Sequence, residues 1–187
     1  MVKWCYTYNM HLYAYGGRTV KKIARFEKVS FEQFKNSFDS EYTLEEITEM
    51  YNNLKLPKRA TVGSAGYDFF APFDITLAPG QTIKIPTGIR AKMEVEWVLK
   101  LYPRSGLGFK YRLQLNNTVG IIDSDYYYSD NEGHIFAKIT NDSNEGKTVT
   151  INKGDGFMQG IFIEYGITID DDTTEIRNGG FGSTTKK

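Results

Sequence analysis

The sequence predicts a mostly β chain, a sandwich, jelly roll or barrel, with a small α-helical insert near its N terminus. Three observations predict it. From Leu56 onward, short apolar runs are punctuated by Ala-Pro-Gly, Pro-Thr-Gly, Asn-Asp-Ser-Asn-Glu-Gly and Asn-Lys-Gly-Asp-Gly, as in many short strands joined by turns. Near the N terminus, Trp4, Tyr6, Tyr8, Met10 and Leu12 alternate with Cys5, Thr7, Asn9 and His11, the period of a half-buried strand. Between these regions the apolar period lengthens to that of a helix.

In order, the first strand stops at Gly16-Gly17, and a second from about Thr19 to Val29 completes a hairpin over residues 1 to 29. Ser30 with Gln33, and Thr43 with Glu46, read as capping boxes that open two short helices. In the second helix Leu44, Ile47, Tyr51 and Leu54 share a face, which defines a helical insert over residues 30 to 54. The runs Ile83 to Ile85, Val98 to Leu101, Ile135 to Ile139, Thr148 to Ile151 and Phe157 to Ile163 are strands of a β core over residues 55 to 176. The chain ends RNGGFGSTTKK, residues 177 to 187, too rich in glycine to hold a helix or strand alone. One domain is expected, because 187 residues are most economically arranged around a single core.

Composition excludes several function classes. Lys plus Arg and Asp plus Glu both number 23, so no net field favours nucleic acid or an anionic membrane, and an anionic ligand must be held by local geometry. Cys5 stands alone, and His11 and His134 are far apart, so neither a disulfide nor zinc spacing is present. The opening MVKWCYTYNMHLYAYGG lacks the unbroken apolar segment of a signal peptide, and no stretch approaches membrane-spanning length. A cytoplasmic protein is expected.

Five segments depart from ordinary strand and turn composition: SAGYDFFA (64 to 71), PRSGLG (103 to 108), NNTVGIIDSDY (116 to 126), GDGFMQ (154 to 159) and the tail. Taken singly, each is an unremarkable turn, loop or hairpin. Their chemistry is nonetheless coherent. The amides of Ser105, Gly106 and Leu107 in a glycine-containing turn, beside Arg104, form a phosphate nest in which Ser105 adds a hydroxyl. Asp123 and Asp125 are each able to accept the proton of an attacking water, and residues two apart in an extended segment share a face, so spacing does not separate them.

In this order and at these intervals the segments resemble the motifs of the trimeric, all-β dUTPase family, from about Leu56 to Thr184. LPKRATVGSAGYDFFAP, GIIDSDY and GGFGST carry most of the resemblance. It implies a jelly-roll-like β-barrel subunit, a homotrimer with shared active sites, and hydrolysis of dUTP to dUMP and pyrophosphate, which keeps uracil out of DNA and supplies dUMP for thymidylate synthesis. By resemblance Asp123, directly after Gly120-Ile121-Ile122, is the water-activating base, and Asp68 supports the magnesium hydration shell. Mg2+ itself is held by the substrate phosphates, which Arg104, Ser105, Gly106, Leu107 and Gln159 contact. Asn117 with the backbone around Gly120 and Ile121 reads the uracil edge, and Tyr126 lies beneath the deoxyribose, where a flat ring leaves no room for a 2′-hydroxyl. The tail is a lid: Arg177, Gly182, Ser183 and Thr184 wrap the phosphates and Phe181 covers the uracil.

The chain also departs from the family pattern. Gly156 and Phe157 stand where Arg-Ile is usual, so an arginine contact is missing or supplied from elsewhere. Residues Tyr127 to Glu132 replace a short turn, Thr185 replaces a frequent glycine, and the short interval from Arg177 to Phe181 weakens the phosphate role of Arg177. The alternatives are a dCTP deaminase of related fold and a nucleotide-gated regulatory protein whose inserts contact a protein partner. Because the helical insert lies outside every motif, its replacement by a short linker is expected to leave hydrolysis largely intact.

Overall fold

The computed structural model describes residues 20–39 and 41–179. The first strand of the expected hairpin, and Phe181, Gly182, Ser183 and Thr184 of the tail, lie outside those residues. In chain order the elements are β1 (Ala24–Lys28), α1 (Phe31–Lys35), α2 (Leu44–Asn52), β2 (Lys58–Arg59), β3 (Tyr67–Phe70), β4 (Ile75–Leu77), β5 (Thr82–Pro86) and β6 (Ile89–Met93). There follow β7 (Trp97–Pro103), α3 (Ser105–Tyr111), β8 (Leu113–Leu115), β9 (Gly120–Ile122), a 3-10 turn (Ser124–Tyr128), β10 (Phe136–Asn141), β11 (Val149–Ile151) and β12 (Gly156–Glu164).

The expected mostly β architecture is the observed one. β2, β3, β12, β7 and β9 form one antiparallel sheet, and β5, β10 and β8 another, while β11 pairs with β4 and β1 with β6. One apolar core joins them through Phe69, Leu99, Phe157, Met158, Ile85 and Ile139, all essentially inaccessible to solvent. Phe157 and Met158 are adjacent yet both buried. An irregularity in register between Gly156 and Met158, where β12 meets β3, breaks the strand alternation and lets successive side chains turn inward.

The helical segment is part of this core. Phe34, Ile47 and Met50 are buried, and Tyr51 and Leu54 pack against the same cluster, whereas Leu44, expected to share a face with Ile47, Tyr51 and Leu54, is exposed in the first turn of α2. Gly88 lets the segment approach: its φ is +70°, and a Cβ there would lie 2.3 Å from Leu54 Cδ1. Thr43 and Glu46 form the predicted reciprocal capping box. Ser30 forms only half of one, since its hydroxyl accepts from the Gln33 amide while its own amide donates to Glu132 at 2.7 Å. A distant carboxylate has taken the role expected of Gln33.

Candidate active site

The expected site residues fall into two groups. β9 leads from Gly120 into Asp123, whose backbone is extended and opens the 3-10 turn that carries Tyr126. Asn117, Gly120, Ile121, Asp123, Tyr126 and Arg177 line one cavity of about 600 Å³, with an apolar floor of Leu101, Leu115 and Met158. Asp125 does not line it, which separates the two aspartates where spacing did not. The loop before β9 is tightly wound: Thr118, a β-branched residue, holds φ at +65° while its amide donates to Leu115 O at 2.8 Å. Such backbone costs about 1–3 kcal/mol and persists only when its surroundings hold it.

Tyr126 is buried, and its ring is fixed by its hydroxyl. Oη donates to the carbonyl of His134 at 2.8 Å and accepts from Asn131 Nδ2 at 2.7 Å. Burial raises its phenol pKa above the ordinary value, while the bond from Asn131 and the charge of Arg177 oppose that rise. Arg177 bridges the aspartates, with Nη2 on Asp123 Oδ2 and Nε donating to Asp125 Oδ1 at 2.8 Å. The residue expected on the phosphates therefore sits on Asp123 of its own chain, the carboxylate expected to be the base.

The second group lies at the other end of β7. Arg104, Ser105, Gly106 and Leu107 line a separate cavity of about 340 Å³ with Asp155 and Gly156. Arg104 Nε is 3.3 Å from Asp68 Oδ1, and Nη1 donates to Gly156 O at 3.1 Å. A Cβ on Gly156 would lie 2.7 Å from Arg104 Nη1, so the glycine at the family's usual arginine position makes room for a guanidinium arriving from β7. Gln159 is the register partner of Asp68 and donates to Pro103 O at 3.4 Å. The Ser105-Gly106-Leu107 segment differs from the expected turn. It is the first turn of α3, and the Leu107 amide already donates to Arg104 O at 3.1 Å. Two glycines and no buried residue left this helix without a sequence signal.

The strand register measures the separation of the groups. Leu99 pairs with Ile122 and Leu101 with Gly120, so Asp123 is level with Val98, while Arg104 lies beyond the far end of β7. At about 3.3 Å per residue the two ends are roughly 20 Å apart within one chain.

His134 is the residue that sequence reasoning passed over. It is inaccessible to solvent, accepts from the Gly88 amide through Nε2 at 2.9 Å, and burial lowers its pKa from 6.5 to about 4. Between those values the unfolded chain binds a proton that the folded chain refuses, so stability is fully present above pH 6.5 and lost as pH falls toward 4. The loss expected from this group is about 3 kcal/mol. Urea midpoints at pH 7 and pH 4.5 should show His134→Gln losing less stability than the native chain over that interval.

Among the described residues no helix is long and apolar enough to cross a membrane, and no three His, Cys, Asp or Glu side chains gather as a metal site. The dUTPase family model matches residues 52–185. The deoxyuridine 5′-triphosphate nucleotidohydrolase of Lactococcus lactis subsp. lactis is 43% identical over 144 residues, 74% of this chain and 95% of that protein. The enzyme of the same name from Tolumonas auensis is 40% identical over 71% of this chain and 89% of its own length. The crystal structure of dUTPase from Streptococcus mutans superposes with a TM-score of 0.57 at 37% identity, covering 78% of this chain and 98% of that one. The dUTPase of phage phi11 of S. aureus shares the fold at 20% identity, with a TM-score of 0.58 over 83% of this chain and 98% of that one. With the motifs in one ordered β core and a family match across most of its length, the chain belongs to the dUTPase family.

Proposed function

We propose that this chain hydrolyses dUTP to dUMP and pyrophosphate, with Asp123 accepting a proton from the attacking water. The observation that carries the reading is the single cavity in which Asn117, the backbone of Gly120 and Ile121, Tyr126 and Asp123 converge. Asn117 and the adjoining backbone pair with the uracil edge, and the ring of Tyr126 lies under the sugar. Water forms its bond to the α-phosphorus as the bond to the α,β-bridging oxygen breaks; its proton goes to Asp123 and pyrophosphate leaves. Arg177 exchanges the aspartates for the incoming phosphates, whose charge competes for the guanidinium. A Mg2+ ion brought by the triphosphate would neutralise its charge. Asp68, the carboxylate beside Arg104, fits an ion held chiefly by substrate oxygens. The test is pyrophosphate release from dUTP measured beside ammonia release from dCTP: the first is expected alone, and ammonia would identify a deaminase.

The roughly 20 Å between Asp123 and Arg104 favours a shared site, because one triphosphate cannot reach both from the same chain. A homotrimer in which one subunit supplies the base and uracil pocket and another the phosphate cavity resolves this. Asp123→Asn and Arg104→Ala chains should each be nearly inactive. Unfolded together, mixed one to one and refolded, they should regain roughly a quarter of native activity, since random assembly joins two intact halves at about one site in four. Verified hybrid oligomers that regain nothing would place both halves in one chain.

A further inference from the structure

We propose that His134 is a positioning residue for Tyr126, and that the helical segment of residues 30 to 54 influences substrate selection through it. The proposal rests on the reading of Tyr126 as the ring beneath the deoxyribose. Both hydrogen-bonding capacities of the Tyr126 hydroxyl are spent on one short stretch: Oη donates to the His134 carbonyl and accepts from Asn131. Where that stretch sits, the ring sits.

The stretch is held by the helical segment. Because the Gly88 amide donates to His134 Nε2 at 2.9 Å, a neutral imidazole carries its proton on Nδ1, which faces Ser37 Oγ at 3.2 Å. Ser37 in turn donates its hydroxyl proton to Gln33 O at 2.8 Å. Every donor and acceptor in this line is assigned by one tautomer. A second tie runs parallel to it: Glu132, at φ +58°, accepts from the Ser30 amide at 2.7 Å and from the Ser30 hydroxyl at 2.5 Å. Residues 131 to 134 are thus clamped to the start and end of α1, and the clamp ends on the tyrosine that lines the cavity.

The imidazole is not required to place β10 itself. The Ile135 carbonyl accepts from Thr87 Oγ1 at 2.6 Å and its amide donates to Ile89 O at 2.9 Å. The His134 side chain adds the orientation of the peptide that receives the Tyr126 hydroxyl. Loss of the imidazole should therefore loosen the ring within a folded protein, and a loose ring admits a 2′-hydroxyl.

The readout is the ratio of kcat/KM for dUTP to that for UTP, which general weakening of the fold does not move in one direction. His134→Leu leaves the Gly88 amide without its acceptor and should lower the ratio about tenfold, with kcat on dUTP changed far less. His134→Gln, whose amide oxygen can still accept from Gly88, should keep the ratio within about threefold. Ser37→Ala should lower it severalfold. If His134→Leu does not fold, Ser37→Ala decides. Unchanged ratios in folded variants overturn the proposal. Tyr126→Leu separates the two levels: a ratio that survives this change defeats the reading of Tyr126, whereas a ratio lost there but kept in the His134 and Ser37 variants defeats only the positioning role.

Discussion

Asp123→Asn is expected to leave dUTP binding nearly intact while turnover falls by a hundred- to several-thousandfold, about 3 to 5 kcal/mol of transition-state stabilisation. The substitution preserves shape and still offers Arg177 an oxygen, so the guanidinium that spans Asp123 and Asp125 keeps partners on both residues. What it removes is the capacity to take a proton. A neutral amide is not a base at any working pH, and the attacking water must then lose its proton to bulk solvent. Asp125→Asn is the matched control. Asp125 does not line the cavity, and its exchange should change turnover less than about tenfold while loosening Arg177. Single-turnover rates with saturating dUTP, beside the affinity of a non-hydrolysable analogue, make the comparison. A fall of less than about tenfold in the Asp123 variant would assign the base elsewhere.

The strands were legible because their cause is local. Ile83 to Ile85 and Val98 to Leu101 announce themselves as apolar runs between turns, and they lie within β5 and β7. The Thr43–Glu46 box was legible for the same reason, since both partners sit within one turn of chain. Its counterpart at Ser30 was not, because the carboxylate that completes the cap, Glu132, is 102 residues away. The site divides the same way. Asp123 and Tyr126 stand in a contiguous motif, whereas the fit of Arg104 into the space over Gly156 depends on β7 and β12 being neighbours, which no window of sequence displays. His134 gave no signal beyond being a histidine between glycine and isoleucine. Its meaning lies in Gly88 and Ser37, which only the folded chain brings to it.

Phe34→Ala is expected to cost about 3 to 5 kcal/mol of stability, enough to leave a domain of ordinary stability barely folded. The expectation that a short linker can replace residues 30 to 54 rested on their position outside every motif and on the weak dependence of loop closure on length. The structure places Phe34 inside it, with no exposed surface and with its ring 4.9 Å from that of Phe38, 5.7 Å from Tyr51 and 6.3 Å from His134. Gly88 is bare beneath it, so truncation opens a space that the backbone turn has no side chain to fill. Replacing the whole segment by a linker goes further. It uncovers the side chains that Phe34, Ile47 and Met50 bury, and it removes Ser30 and Ser37, the two ties to residues 131 to 134. Weak dependence of loop closure on length does not offset such losses, because the cost lies in exposed apolar surface and broken bonds and not in chain entropy. Urea unfolding should therefore show a lower midpoint with an unchanged slope for Phe34→Ala, and no cooperative transition for the linker variant. A linker variant that unfolds cooperatively at the native midpoint would mean that the segment packs on the core without supporting it.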